Sequence, residues 1–210
     1  RRLLSSSASV QDVEWCEAHG WLLAAGTDGI ARAIELQSGE EIFSWSNGGR
    51  ALSAIAIDRQ ARRIAVGESS GVVHVLDADS RRELARLDGL TDMPWQILFS
   101  HDGETVFAAG GDWRVLCWPA GGGPAKVFSG HTGAVHCLAL SPDGKRMVTG
   151  GHDNTVRLWD VASGTELLLL PGHTGSVHGV CFSREGDRIY SCSDVGAIKV
   201  WTAPVSDQHQ

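Results

Sequence analysis

The sequence predicts an all-β fold of five tandem units, each built from four short antiparallel strands. Three observations lead there. Aligned on the residue near the end of each third strand, Ile34, Leu76, Trp118, Trp159 and Trp201 lie 42, 42, 41 and 42 residues apart. Aligned on the first strands, Val10, Leu52, Pro94, Val135 and Val177 keep the same spacing. Short runs of β-branched and aliphatic residues alternate with Gly, Asp, Asn and Pro clusters, and no segment has a helical period.

The sharpest unit is Gly130 to Asp160, GHTGAVHCLALSPDGKRMVTGGHDNTVRLWD. Val135 to Ser141 alternates as a half-buried strand does. Ser141 to Lys145 is a tight turn, in which Pro142 presets φ and Asp143 and Gly144 supply turn chemistry and a position of positive φ. RMVTGG is a second strand, HDN a second turn and TVRLWD a third strand. The pattern returns at Gly172 to Thr202.

The other units follow in order. The first has the turn Glu17 to Gly20, then WLLAAG, IARAIEL and EEIFSW. The second reads LSAIAID, RIAVGE, VVHVLDA and RELARLD. The third reads WQILFS, the turn HDGE, TVFAAGG, RVLCWP and AKVFSG, with Ala120 to Pro124 a loop between its last two strands. Repeat boundaries fall at about 6–47, 48–89, 90–130, 131–172 and 173–210 of one domain. Arg1 to Ser5 aligns with the LLLLPG stretch, so it reads as a fourth strand that closes the last unit.

With 210 residues, 42% of them hydrophobic, the chain can bury a large core. A net charge of −7 argues against a phosphate-backbone binder, which normally shows a basic face, so no nucleic-acid partner is expected. No apolar run approaches the 18 or so residues of a membrane span, and Leu167 to Leu170, the longest, fits one buried strand. Cys16, Cys117, Cys137, Cys181 and Cys192 lie in strands without paired spacing and read as reduced and buried, which favours the cytoplasm. Arg outnumbers Lys fifteen to three, a bacterial-like usage.

Gly130-His131 at the entry of a repeat, Trp159-Asp160 at the end of its third strand and the 41–42-residue period resemble the WD-repeat β-propeller family, over nearly the whole chain. The resemblance implies a β-propeller of four-stranded blades. The family usually builds seven, so five repeats imply a fragment of a larger ring, with other blades or domains of a parent protein as neighbours.

The same resemblance places His131, Thr149, Asp153 and Trp159 at the positions of a structural tetrad, in which indole, hydroxyl, imidazole and carboxylate form one hydrogen-bonded chain. A hydroxyl, a His and an Asp also invite a hydrolase reading. That reading fails because the hydroxyl is tied to an indole and no oxyanion element is evident. The last repeat keeps His173, Ser191 and Trp201, with Val195 in the place of Asp. The third keeps Asp112 and Trp118, the first only Asp28. The second has none, with Gly48, Val66, Ser70 and Leu76 there. The first two repeats are therefore expected to depend on apolar packing and to open most easily.

By resemblance, three positions per repeat face the narrow end that usually binds partners: two near the start of strand one and the residue before the tetrad Asp. These are Ser9, Gln11 and Thr27; Ala51, Ser53 and Ser69; Met93, Trp95 and Gly111; Ala134, His136 and His152; Ser176, His178 and Asp194. The last three repeats, holding a Trp, a Met, three His and an Asp, form the expected contact arc. The expected function is a non-catalytic scaffold that binds a protein or peptide there, with no catalytic residue, metal or cofactor assigned. The alternative is a metal-binding or enzymatic propeller using His136, His152, His178 and Asp194. Zinc would need three or four N or O ligands at about 2.0–2.2 Å, and no ligand spacing marks them.

Overall fold

The computed structural model describes residues 8–202. They contain nineteen strands in five antiparallel sheets and no helix. The closing strand expected at Arg1 to Ser5 lies outside the described residues. The chain divides into two compact units, Arg1–Ser129 and Gly130–Gln210.

The first unit holds three four-stranded sheets. The first sheet is β1 (Val10–Cys16), β2 (Trp21–Gly26), β3 (Ile30–Glu35) and β4 (Glu41–Ser46). The second is β5 (Leu52–Ile57), β6 (Arg63–Glu68), β7 (Val73–Asp77) and β8 (Glu83–Leu87). The third is β9 (Pro94–Phe99), β10 (Thr105–Gly110), β11 (Arg114–Pro119) and β12 (Lys126–Ser129). Each is a meander, its strands paired in chain order. Leu23, Ala33 and Phe43 of the first sheet pack on Ile55, Ile64 and Leu76 of the second. The second sheet's Val73, Val75 and Leu87 join Ile97, Val106 and Trp118 of the third. The central strands β6 and β10 are nearly continuous apolar runs because both of their faces are covered.

The second unit holds β13 (Val135–Leu140), β14 (Arg146–Gly151), β15 (Val156–Asp160) and β16 (Glu166–Leu170), then β17 (Val177–Phe182), β18 (Arg188–Ser193) and β19 (Ile198–Thr202). Val148, Val156 and Leu158 pack on Val177 and Ile189 between the two sheets. At the first turn, Ser141 Oγ donates to Asp143 Oδ1 at 2.6 Å and the Gly144 amide to the Ser141 carbonyl at 2.8 Å. Gly144 has φ 69°, the conformation its missing Cβ permits. A recurrent arginine ties neighbouring sheets. Arg63 Nη1 donates to the Gly103 carbonyl at 2.8 Å, and Arg146 Nη2 to that of Gly186 at 2.9 Å.

Two expectations of burial fail. Leu167, Leu168 and Leu169 are about half exposed, because β16 is the outermost strand of its sheet and has a ladder on one side only. Cys16, Cys117 and Cys137 are buried, but Cys181 and Cys192 are exposed. The strand period puts these two on the face of the last sheet opposite Val180 and Phe182, which pack on the core.

Candidate functional site

A β-bulge opens every sheet, and it shapes the rim at that sheet's strand-start end. In each pairing of first and second strands the register skips one residue near the start: Gln11, Ser53, Trp95, His136 and His178. An unpaired bulge residue bends the strand and turns its side chain away from the ladder's alternation. A main-chain bond holds each bulge at the same end. The amides of Thr27, Ser69, Gly111, His152 and Asp194 donate to the carbonyls of Ser9, Ala51, Met93, Ala134 and Ser176 at 2.8–3.2 Å. The three positions named in each repeat are thus brought together by one recurring motif.

In the third sheet Trp95 is exposed and Met93 half-buried. In the second unit His152, His178 and Asp194 are exposed, and His136 and Ala134 half-buried. Ser176 is buried, 2.8 Å from His152 Nδ1, so its hydroxyl orients that imidazole rather than facing solvent. The His136 ring lies on His178, centroids 4.4 Å apart and planes tilted 38°, and meets His152 edge-on at 6.0 Å. Burial, with His178 and His152 beside it, pushes His136 down to about 4, and Asp194 only partly opposes this. The His136–His178 contact is ring against ring, which does not aim both lone pairs at one ion. Among the described residues no three His, Cys, Asp or Glu are placed to hold a metal.

Below the rim of the fourth sheet, Trp159 Nε1 donates to Thr149 Oγ1 at 2.9 Å, and Thr149 meets His131 Nε2 at 2.7 Å. His131 Nδ1 reaches Asp153 Oδ2 at 2.9 Å. Burial alone would raise the Asp153 carboxyl. Hydrogen bonds from His131, the Thr132 amide and the Thr155 hydroxyl outweigh it and hold the acid well below the usual carboxylate range. In the fifth sheet Trp201 donates to Ser191 at 2.8 Å and His173 Nε2 lies 2.7 Å from the same oxygen. His173 Nδ1 is buried with no hydrogen-bond partner among the described residues, since Val195 stands where the carboxylate would. In the third sheet Ala108 offers no hydroxyl, and Trp118 Nε1 donates instead to the Asp88 carbonyl at 3.1 Å. Asp112 accepts from the Thr91 amide and pairs with Arg114 at 2.6 Å. Asp28 pairs with Arg32 at 2.8 Å.

The second sheet departs from the expectation of purely apolar packing. Glu68, 1% exposed, accepts from Ser70 Oγ at 2.7 Å and Asn47 Nδ2 at 3.1 Å, and lies 2.9 Å from His74 Nε2. Burial would raise the Glu68 carboxyl, but these partners outweigh it and lower it. Glu83 caps the other ring nitrogen at 3.1 Å, and the Trp45 ring of the first sheet meets the imidazole at a 50° tilt, centroids 5.0 Å apart. Its residues occupy none of the tetrad positions except that of Ser70, so a search in tetrad register passes them by. Acidic and imidazole side chains in otherwise apolar strands were the available signal.

Residues 122–160 and 164–202 each match the family model described as WD domain, G-beta repeat. The chain is 28% identical over 149 residues, 70% of its length, to the human angio-associated migratory cell protein, and covers 34% of that protein. It is 39% identical over 71 residues, 33% of its length, to the Aspergillus niger eukaryotic translation initiation factor 3 subunit I, covering 21% of it. It is 33% identical over 103 residues, 48% of its length, to Protein groucho of Drosophila melanogaster, covering 14% of it. The chain thus spans about a third or less of these relatives. They are animal and fungal, and give no support to a bacterial-like origin. No helix among the described residues is long and apolar enough to cross a membrane.

Proposed function

We propose, from the premise that this chain is a WD-repeat protein, that it is a non-catalytic interaction scaffold whose sheets each present protein- or peptide-binding residues at their strand-start ends. The observation that carries this is the bulge motif. In the third, fourth and fifth sheets it turns out Trp95, His136 and His178 and sets His152 and Asp194 beside the histidines. Aromatic and imidazole side chains on a rigid base lose little freedom on binding and suit a contact hot spot. The polar chains beneath the rim end on an indole, not on an open cleft, which supports a structural reading over a hydrolytic one. One relative is by name a subunit of an initiation factor, which suits work inside an assembly. Free cysteines suit the cytoplasm.

The test places a photo-crosslinking amino acid at position 95, at 178, or at 185 in a turn at the opposite end, in the protein in living cells. Discrete protein adducts from 95 and 178, absent from 185, are expected. Adducts from 185 alone, or from none, would end this reading.

A further inference from the structure

The turn between the second and third strands of every sheet contains one residue in the left-handed region. These are Gly29, Gly71, Trp113, Asn154 and Gly196, with φ of 73°, 94°, 70°, 64° and 78°. They repeat at 42, 42, 41 and 42 residues, so the fold imposes this conformation once per repeat. Three of the five are Gly and one is Asn, the residues that accept it at least cost. The third sheet puts a tryptophan there. A bulky side chain at positive φ is a strained exception, and such strain, held by the surrounding structure, concentrates at binding and active sites.

Packing does not supply the reason. Trp113 is 53% exposed and contributes to no core cluster among the described residues, whereas Trp118 five residues on is 1% exposed. The turn lies at the strand-start end. Gly111, two residues before Trp113, is bonded to Met93, and the Asp92 carboxylate sits against it. The second exposed indole there, Trp95, follows the first residue of β9, a strand two ladder spacings, or about 10 Å, from β11 at this end. Asp92 is exposed and enters no salt bridge among the described residues, while Arg114 is held by Asp112. The end of this sheet therefore offers two exposed indoles and an exposed carboxylate that caps the Met93 amide and lies outside any salt bridge among the described residues.

We propose that Trp113 is a partner-binding anchor, and that it and Trp95 receive a lysine or arginine side chain of a protein partner, with Asp92 as its counter-charge. A cation over an indole face is the strongest of the cation–aromatic pairs. The proposal rests on the rim reading above, and adds to it an anchor residue and the chemistry of the occupant.

The experiment uses the protein labelled with 5-fluorotryptophan, in which the resonances lost in Trp113→Asn and in Trp95→Ala identify the two indoles. The probes are acetylated Ser-Lys, Ser-Arg and Ser-Glu decapeptides. The Trp113 resonance should move with the Lys and Arg peptides and not with the Glu peptide. Trp113→Asn should bind both cationic peptides at least five-fold more weakly, and its Tm should be equal to or about 2–4 °C above the parent's as strain is relieved. A Tm several degrees lower would make Trp113 structural and overturn the proposal. Equal shifts with the Glu peptide would overturn the cationic class. Movement of the Trp95 resonance alone would sink the anchor and leave the rim reading standing, whereas no movement at either indole would count against both.

Discussion

Trp118 Nε1 donates to the carbonyl of Asp88 at 3.1 Å, a main-chain acceptor that no substitution on the second strand can remove. Trp159 depends on Thr149, whose hydroxyl also serves His131. Thr149→Val should strand two buried groups and cost about 2–4 kcal/mol, against about 1 kcal/mol for the hydrogen bond lost in Trp118→Phe. Urea denaturation of the two variants checks this. Similar costs, after allowing for the lost indole volume, would show that the polar chain is not cooperative.

Val195→Asp should stabilise the protein. It supplies the carboxylate that His173 Nδ1 lacks, in the place where Asp153 serves His131. Satisfying one buried donor or acceptor is worth about 1 kcal/mol, a rise in Tm of about 2–4 °C at this size. Calorimetry decides it, with Val195→Asn expected to give less. An unchanged Tm would mean the imidazole already finds water.

Acidification should weaken the fold between about pH 6.5 and 4. His136 is pushed down to about 4 in the folded protein, chiefly by burial, while an unfolded chain holds it near its ordinary 6.5. In that window the unfolded state binds more protons. The His136 contribution is therefore complete above 6.5 and is lost as pH falls towards 4. His136→Gln should flatten this part of the Tm–pH curve. A curve of unchanged slope would remove His136 as its source.

Glu68→Ala should be among the most costly substitutions in the first unit. It leaves His74, Asn47 and Ser70 without their shared acceptor in a buried place, and breaking such a buried pair typically costs about 3–5 kcal/mol. A double-mutant cycle with His74→Ala, read by urea denaturation, should show strong coupling. Additive losses would show that the two groups act separately.

The period, the turns and the tetrad of the fourth sheet were legible because each depends on residue types at fixed offsets. Asp143 and Gly144 do one local job, and His131 and Trp159 mark their places by identity. Other features had no such signature. Glu68, His74 and Glu83 meet through strand pairing, which a linear pattern search does not assemble. Leu167 to Leu169 look alike in a central and in an outermost strand, and only the order of strands distinguishes these. Trp113 reads as an ordinary aromatic until the backbone angle at its turn is known.

The bulges also separate two kinds of inheritance. Gln11, Ser53, Trp95, His136 and His178 occupy one geometric place, yet four residue types fill the five positions. Because the skipped residue is outside the ladder register and its bulge is closed by main-chain atoms, its identity can drift without disturbing the pairing on either side. Five such sites in one chain let contact chemistry be rewritten one repeat at a time on a frame that stays constant. A designer seeking a new specificity would randomise these positions first.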